Sequence, residues 1–501
     1  MYSGLSKVDW HSLPVKNMAK LLLLGFSAGL PILLIFSTLS LWLGEAGVKK
    51  SAVTYFSWAA LGYSFKFVWA PIVDKLPVPL LSHALGRRRG WLLLSQLAVI
   101  AAIVWMGSID PLYGLSGMAL AAVALGFSSA TQDIMIDAYR IEIDEARQQA
   151  LLSSSYIAGY RIGMVVAGAG SLYLAETLGS VAGSYSYTAW QTTYYIMAAV
   201  MAIGVLTTVC IAEPEANQSK KVYPYAAHEY VRFFVLFLLS VVALIVVFRT
   251  FPELNFGFEG YAAKLGSFGV GSVKMLCALS AAIIVGLVGA NVGFANKAMV
   301  VDSYVHPVKD FFERYGKLAL WILLLVGFYR VSDIVMGVIA NVFYQDLGYS
   351  KIQIAEITKV FGLLMTILGS FIGGFLSLKI GVMRVLLLGA ILAAATNLLF
   401  MWLASSEPTL RALTMVIAAD NLGAGLAVAA FVAWLSSLTS VSFTATQYAI
   451  FSSVMTLFPK LLGGYSGTMV ESVGYEQFFL LTAILGVPVI VLILFLQKRI
   501  Q

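Results

Sequence analysis

Two carboxylates four residues apart are the side chains of this chain best placed to do chemistry. Asp133 and Asp137 lie in a polar stretch, 126–142, that continues an apolar run without a break. At helical spacing they share a face with Gln132, and Arg140 follows within a turn. A carboxylate facing hydrocarbon is costly, so this face should point into a helix bundle or a watery cavity. These groups could carry protons or orient a polar solute; alternatively, they form a salt bridge that only holds the bundle together.

The composition shows what kind of element must hold these residues. The chain has 501 residues, of which 60% are hydrophobic and 11% are charged. Apolar runs of about 20 residues recur throughout, and that length crosses roughly 30 Å of hydrocarbon as a helix. The composition therefore predicts an all-α polytopic membrane protein. Two cysteines in apolar runs and four scattered histidines give no ligand spacing, so we expect no metal and no cofactor.

We predict about fourteen spans, grouped as six, two and six. The spans cover residues 19–43, 51–74, 90–108, 112–139, 149–175, 189–211, 230–249, 272–295, 318–344, 352–378, 382–404, 411–438, 445–470 and 476–497. The corresponding domains are an N-terminal segment (1–18), a six-helix bundle (19–212), a linker with two additional helices (213–317) and a second six-helix bundle (318–501). The additional pair is almost uniformly apolar, so we expect it to pack or face lipid rather than line a pathway.

The distribution of Lys and Arg among the loops predicts how the chain is oriented in the membrane. With the N-terminus inside, 20 of the 32 Lys and Arg residues fall on the inner side and 7 on the outer side. Cytoplasmic loops carry such an excess, so both termini are expected in the cytoplasm. The net charge of +7 then reflects loop bias and gives no reason to expect a nucleic-acid partner.

Two basic turns occur at matching places in the two halves. The first turn contains Asp74, Gly86 and Arg87-Arg88-Arg89, and the second contains Lys379 and Arg384. They resemble the second-to-third loop signature of the major facilitator superfamily, although any cytoplasmic turn collects arginine. The resemblance implies two six-helix bundles around a central cavity, with the substrate near the membrane midplane. It also implies that the basic turns act as gating latches between the bundles.

In the superfamily fold, the first helix of each three-helix repeat lines the cavity, and three of those four helices carry charge here. The charged set expected to couple protons or compensate charge is Lys66, Asp133, Asp137, Arg161, Arg330, Asp333 and Asp420. Asp133 could pair with Arg161, and Arg330 could pair with either Asp420 or Asp333. Each such pair is either part of a proton pathway or a permanent bridge.

A second set of residues could bind the solute, because sites for sugars and peptides combine aromatic faces with amide or hydroxyl groups. Each aromatic could instead pack or anchor at the membrane interface. The set comprises Gly29, Tyr63, Gln132, Tyr160, Tyr329, Asn421, Trp434, Gln447 and Tyr448.

Several longer motifs resemble the AmpG muropeptide permease family. They are Gly-Phe-Ser-Ala-Gly-Leu-Pro (25–31), Lys-Phe-Val-Trp-Ala-Pro (66–71), Gly-Arg-Arg-Arg-Gly-Trp (86–91), Ser-Ala-Thr-Gln-Asp-Ile (129–134), Gly-Tyr-Arg-Ile-Gly (159–163), Ala-Phe-Val-Ala-Trp (430–434) and Phe-Thr-Ala-Thr-Gln-Tyr (443–448). The resemblance implies a proton-driven inner-membrane importer of anhydromuropeptides that acts in peptidoglycan recycling and β-lactamase induction. We expect a monomer whose partners are the substrate, protons and the bilayer.

Three alternatives stay open at this stage. The Gln-Asp-Ile motif with the later Asp is also similar to acetyl-coenzyme A transporters, so a carrier of another anionic solute is the main one. A polytopic membrane enzyme would present clustered His, Asp or Glu at a membrane face, and the four histidines are scattered outside the spans. A receptor or scaffold would not need charge on the lining helices of both halves.

Overall fold

The computed structural model describes residues 13–48, 56, 61–180, 184–215, 225–252, 260–463 and 465–500, and these residues are almost entirely helical. Parts of three predicted segments lie outside the described residues: 1–12 of the N-terminal segment, most of 51–60 in the second span, and 253–259 of the central loop. The described helices confirm the all-α membrane architecture.

The first half of the chain is built from one long central helix with shorter helices around it. The helices are α1 (Val15–Ile35), α2 (Ser37–Glu45), α3 (Leu61–Phe65), α4 (Ala70–Lys75), α5 (Leu81–Leu85), α6 (Arg87–Gly107), α7 (Pro111–Glu142), α8 (Gln149–Val165), α9 (Ser171–Thr177) and α10 (Tyr187–Cys210). The first predicted span breaks at Phe36, between α1 and α2. α7 carries Asp133 and Asp137, and it begins where Asp110 accepts a hydrogen bond from the Leu112 N–H at 3.0 Å.

The remaining helices follow the predicted spans with two breaks. They are α11 (Ala227–Thr250), α12 (Gly260–Asn291), α13 (Lys297–Val300), α14 (His306–Tyr315), α15 (Ala319–Phe328), α16 (Val331–Asp346), α17 (Lys351–Ile354), α18 (Gly362–Ile380), α19 (Val382–Ser405), α20 (Leu410–Leu438), α21 (Thr444–Gly463) and α22 (Ser466–Ile500). The span predicted for 318–344 is interrupted at Tyr329 and Arg330, between α15 and α16. α22 bends at Gly474, where φ is 79°, close to the predicted start of the last span.

Twelve helical segments in the described part of the chain are long and apolar enough to cross a membrane. Two of the predicted spans are not among them. The second span lies partly outside the described residues, and α21 is more polar, with Gln447 and Lys460 in its sequence.

Contacts divide the described chain into two compact units. The first is drawn from Met1–Val73, Val78–Lys220 and Tyr315–Gln501, and the second from Asp74–Pro77 and Lys221–Arg314. In the second unit, α11 packs against α12, and Asn296 donates a 2.6 Å hydrogen bond to Glu229. Large apolar side chains of this pair, such as Val242 and Ile283, are exposed, as suits a surface in contact with lipid.

Glycine lets the helices of the first half approach closely. A Cβ atom added at Gly29 of α1 would lie 2.0 Å from the carbonyl oxygen of Tyr160, and one at Gly159 of α8 would lie 1.9 Å from that of Leu22. The backbones of α1 and α8 are therefore in direct contact, as small residues permit in membrane helices.

The second half repeats this packing between α18 and α20. A Cβ atom at Gly369 would lie 2.1 Å from the Leu422 carbonyl oxygen, and one at Gly425 would lie 2.2 Å from that of Thr366. Each half thus contains a glycine-mediated helix crossing.

Candidate functional site

Asp137 of α7 is held between two cations in the first unit. Lys66, in a short 3₁₀ turn after α3, places its Nζ atom 3.6 Å from Asp137 Oδ2. Arg140 places Nη2 3.4 Å from Asp137 Oδ1. All three side chains are buried. Since burying an isolated charge is costly, this mutual compensation explains how three ionic groups occupy the interior of a helix bundle.

Arg140 also links the two halves. Its Nη1 atom donates to Ser436 Oγ of α20 at 2.8 Å and to Ser153 Oγ of α8 at 3.1 Å, and the guanidinium lies 5.2 Å from the ring centre of Tyr448 on α21. A third acceptor is Gln149 Oε1, 3.2 Å away. We call this end of the molecule, where α7 and α20 end and α8 and α21 begin, the basic end. The buried side chain of Arg140 thus contacts residues of both halves there.

A hydrogen bond from a side chain to the backbone closes the same region between α8 and α18. Ser154 Oγ donates to the Ser370 carbonyl oxygen at 2.6 Å, and a Cβ atom at Gly374 would lie 2.5 Å from Ser154 Oγ. The basic end therefore has no room for a solute to pass between α8 and α18 in this conformation.

Asp133 lies one turn further into the bundle, and its situation differs from that of Asp137. It is 7% exposed, and its Oδ1 atom has no hydrogen-bond partner. It is close enough to Lys66 and Asp137 for electrostatic interaction, but it forms no salt bridge. A proton could bind Asp133 without breaking a bond, whereas protonation of Asp137 would weaken both of its bridges.

Three tyrosines lie near this carboxylate. They are Tyr63, Tyr156 and Tyr160, and Tyr63 shares a 2.6 Å hydrogen bond with Ser129. The rings of Tyr156 and Tyr160 have their centres 6.0 Å apart. Phenol groups and aromatic faces are the features that sugar rings bind.

Gln132, the residue before Asp133, bonds to α1. Its Nε2 atom donates to Ser27 Oγ of α1 at 3.2 Å, and its Oε1 atom has no partner. Gly29 lies at the crossing of α1 and α8 described above. Roles for Gln132 and Gly29 in binding stay predictions.

The structure does not form the predicted pair of Asp133 with Arg161. The guanidinium of Arg161 contacts only the Met164 sulfur, at 3.9 Å, among the hydrogen bonds described. Arg161 interacts electrostatically with Arg330 and Asp333 of the other half. The prediction is wrong for this conformation because Asp133 faces the Lys66 side of the first half, while Arg161 faces the second half.

Of the two partners considered for Arg330, the structure selects Asp333, whose Oδ2 atom lies 2.5 Å from Arg330 Nη2. The pair with Asp420 is not formed. The chain breaks between α15 and α16 at Arg330, and this places its side chain over the first turn of α16, where Asp333 lies. Asp420 instead accepts a 3.2 Å hydrogen bond from Thr396 of α19.

These groups line a cavity in the second half, between α15–α16, α19 and α20. Its polar walls are formed by Tyr329, Arg330, Asp333, Thr396, Asn397 and Asp420. The predicted charged residues of the second half therefore converge on one cavity.

The other predicted binding residues of the second half make internal contacts. Tyr329 donates to the Leu386 carbonyl oxygen at 3.1 Å and stacks on Phe431, which in turn stacks on Trp434. Asn421 accepts a 2.9 Å hydrogen bond from Thr366 of α18.

The last two predicted residues lie at the basic end. Gln447 accepts a 2.7 Å hydrogen bond from the Ser440 N–H, and Tyr448 faces Arg140. Tyr448 is thus the predicted aromatic that contacts the buried charge network from the second half.

The first basic turn is a buried network inside the first half. Arg88 forms a bidentate salt bridge with Glu142, with a closest approach of 2.6 Å, and both side chains are fully buried. Arg89 donates to the carbonyl oxygens of Thr208 and Val209 at the end of α10, at 3.1 and 2.7 Å. The hydrogen bonds described for Arg88 and Arg89 thus tie α6 to α7 and α10, and the link between halves is made by Arg140.

Glu213 completes this network by capping α6. Its carboxylate accepts from the N–H groups of Arg88 and Arg89 at 2.9 and 3.1 Å, where the helix leaves donors unpaired. Gly86 makes room for it, since φ is 93° there and a Cβ atom would lie 2.4 Å from Glu213 Cδ. Burial raises the pKa of Glu213 above its usual value, against the lowering effect of these hydrogen bonds.

The other members of the predicted gating set are Asp74, Lys379 and Arg384. Asp74 is buried and belongs to the second unit. Lys379 and Arg384, which flank the turn between α18 and α19, are exposed. The two basic turns therefore differ in structure, although their sequences correspond.

Replacing Arg87, Arg88 and Arg89 together with Ala is expected to slow transport while ligand affinity changes little. The triple change leaves the buried carboxylate of Glu142 without the guanidinium of Arg88 and costs about 3–5 kcal/mol of stability. Initial uptake rates and ligand affinity should be measured on the same proteoliposomes. Arg411→Ala is the matched control, because Arg411 is exposed at the start of α20, and it should behave as wild type. A loss confined to affinity would contradict this assignment.

Comparison with known proteins identifies the class to which this architecture belongs. The family model described as Major Facilitator Superfamily matches residues 14–303 and 320–501. Among solved structures, the proton:xylose symporter XylE superimposes with a TM-score of 0.59 at 12% identity, covering 97% of this chain and 95% of XylE. The transporter FucP in its outward conformation gives a TM-score of 0.57 at 11% identity, covering 97% of this chain and 99% of FucP.

Sequence relatives narrow the family further. The AmpG 4 transporter of Rickettsia felis is 31% identical over 97% of this chain and 97% of its own length. The anhydromuropeptide permease of Escherichia coli K12 is 28% identical over 96% of this chain and 80% of its own length. The chain therefore belongs to the Major Facilitator Superfamily and, within it, to the AmpG permease family. It is a multi-span membrane permease.

Residues of this site that were not predicted as site residues from the sequence include Tyr156, Glu142, Glu213 and Ser436. Tyr156 precedes Tyr160 by four residues, so helical spacing alone would have placed both on one face. Ser436 had no such signal, because it meets Arg140 from the other half of the chain.

Proposed function

We propose that this chain is a proton-coupled permease that imports anhydromuropeptides, the disaccharide-peptide fragments of peptidoglycan, from the periplasm into the cytoplasm. It acts in the inner membrane as a monomer, with both termini in the cytoplasm. Its transport serves peptidoglycan recycling and, through the imported fragments, β-lactamase induction.

The observation that carries this proposal is the buried Asp133, which lacks a hydrogen-bond partner at Oδ1 and lies near Tyr63, Tyr156 and Tyr160. A carboxylate that can take up a proton without breaking a bond suits coupling to a proton gradient. Aromatic faces and phenol groups beside it suit a sugar. The name of the Escherichia coli relative supports the substrate class.

The link between halves supports a transport cycle. Transporters of this fold alternate access by rocking one bundle against the other. Arg140 joins α7 and α8 to Ser436 and Tyr448, so opening the basic end requires these contacts to break. Because Arg140 also binds Asp137, which itself bridges to Lys66, the charge network and the closure of this end are mechanically connected.

The test is uptake by the full chain in proteoliposomes with an inwardly directed proton gradient. Labelled disaccharide-tripeptide should accumulate above equilibrium, a protonophore should abolish the accumulation, and unlabelled anhydromuropeptide should compete. Acetyl-coenzyme A should not compete. Uptake blocked by acetyl-coenzyme A alone would favour the anionic-solute alternative, and accumulation insensitive to the protonophore would refute proton coupling.

A further inference from the structure

A short charged helix connects the additional helix pair to the second six-helix half. α14 (His306–Tyr315) follows α12 through α13 and a π-helical turn at 301–305, and three residues separate it from α15. α12 contains an apolar stretch of membrane-spanning length, and α15 and α16 belong to another. The connection from α14 to α15 reaches about 15 Å at most, so α14 must lie close to the membrane surface.

α14 presents a buried stripe and an exposed apolar stripe side by side. Pro307 and Phe311, four residues apart, are buried. Val308 and Phe312, also four residues apart, lie one position further round the helix and are 43% and 39% exposed. Val305, in the turn before α14, is 44% exposed and precedes Val308 by three residues, so it extends the exposed stripe. The exposed apolar surface therefore lies directly beside the face that is buried in the protein.

The charged side chains of α14 occupy the remaining face. Lys309 lies 3.5 Å from Glu313, and these side chains are 61% and 65% exposed. Arg314 lies 2.9 Å from Asp310. Both pairs are four residues apart, and such exposed pairs are largely solvated, so this face points to water. Two cations and two anions cancel, and α14 has no net charge when His306 is neutral.

A helix with these three faces beside a bilayer has the arrangement of an interfacial amphipathic helix. Such a helix immerses its apolar stripe by about 5–10 Å while its charged face stays in water. We propose that α14 lies flat on the membrane surface, with Val305, Val308 and Phe312 inserted at the boundary between lipid head groups and acyl chains. Because the charges of α14 cancel, apolar burial drives the contact and anionic lipid is not required. This placement holds whatever solute the permease carries.

The test measures the surroundings of single spin labels on the full chain. Cys210 and Cys277 are first replaced by Ser, and one Cys is then introduced in each variant. Val308→Cys and Phe312→Cys report on the apolar stripe, and Glu313→Cys is the matched control on the charged face of the same helix. Each labelled protein is reconstituted in phosphatidylcholine vesicles. The collision rate of each label with oxygen, which dissolves in lipid, is compared with its collision rate with a nickel chelate, which stays in water.

The ratio of oxygen to nickel collision rates should be several-fold higher at positions 308 and 312 than at position 313, and added phosphatidylglycerol should not change it. Unchanged melting temperatures check that the labelled variants are folded, since all three side chains are exposed. A ratio at 308 and 312 equal to that at 313 would show that the stripe faces water and would overturn the proposal.

Two other results would also overturn it. Low collision rates with both reagents, or spectral broadening that disappears on dilution with unlabelled protein, would show that the stripe is covered by this chain or by a second copy. A high ratio found only with phosphatidylglycerol would show that the contact depends on anionic lipid rather than on apolar burial.

Discussion

Asp133→Asn is expected to abolish gradient-driven accumulation of substrate while leaving the protein folded and inserted. The side chain is buried, and its Oδ1 atom makes no hydrogen bond, so Asn fits the same space without removing an observed contact. Asn cannot take up and release a proton. Substrate should therefore equilibrate across the membrane, to a concentration ratio of about 1, when the driving force is a proton gradient.

Gradient-driven accumulation and equilibrium exchange of substrate are both measured in the same proteoliposomes and compared. Exchange of labelled for unlabelled substrate needs no net proton movement, so Asp133→Asn should retain it. Asp110→Asn is the control, because Asp110 caps α7 and an amide oxygen can accept the same hydrogen bonds from Leu112 and Tyr185. Near-normal accumulation by Asp133→Asn, with an unchanged pH dependence, would remove Asp133 from the coupling mechanism.

Gly159→Ala is expected to produce the second large effect. It should act on the stability of the folded protein rather than on the chemistry of transport. The new Cβ atom would lie 1.9 Å from the Leu22 carbonyl oxygen, which belongs to backbone and cannot rotate away. The helices α1 and α8 must separate, and overpacking of this kind costs about 3 kcal/mol. We expect a lower melting temperature in detergent and a lower yield of folded protein.

Gly337→Ala provides the comparison for this prediction. Gly337 lies within α16, and a Cβ atom there would have nothing within 4 Å. Since Ala favours helix over Gly by about 1 kcal/mol, this variant should be as stable as wild type or slightly more so. Equal melting temperatures for Gly159→Ala and wild type would show that α1 and α8 are not in the contact described.

The sequence was sufficient for the architecture because the relevant signals are local. Apolar runs of membrane-spanning length locate the helices, and their grouping separates two halves. The spacing of Asp133 and Asp137 predicts that they share a face, and the motifs indicate the family that the comparisons establish. The break at Arg330 was not predicted, although it decides that this residue pairs with Asp333.

The pairing of charges over long distances in the chain was decided by tertiary structure. Helical periodicity specifies which residues share a face, but it does not specify toward which neighbour that face turns. Asp133 and Arg161 have opposite charges on adjacent helices, yet they face different partners. Arg140 bonds to Ser436, 296 positions later, because the ends of α7 and α20 meet at the basic end. The sequence alone thus located the charged residues on their helices, and only the packing of the helices determined which of them interact.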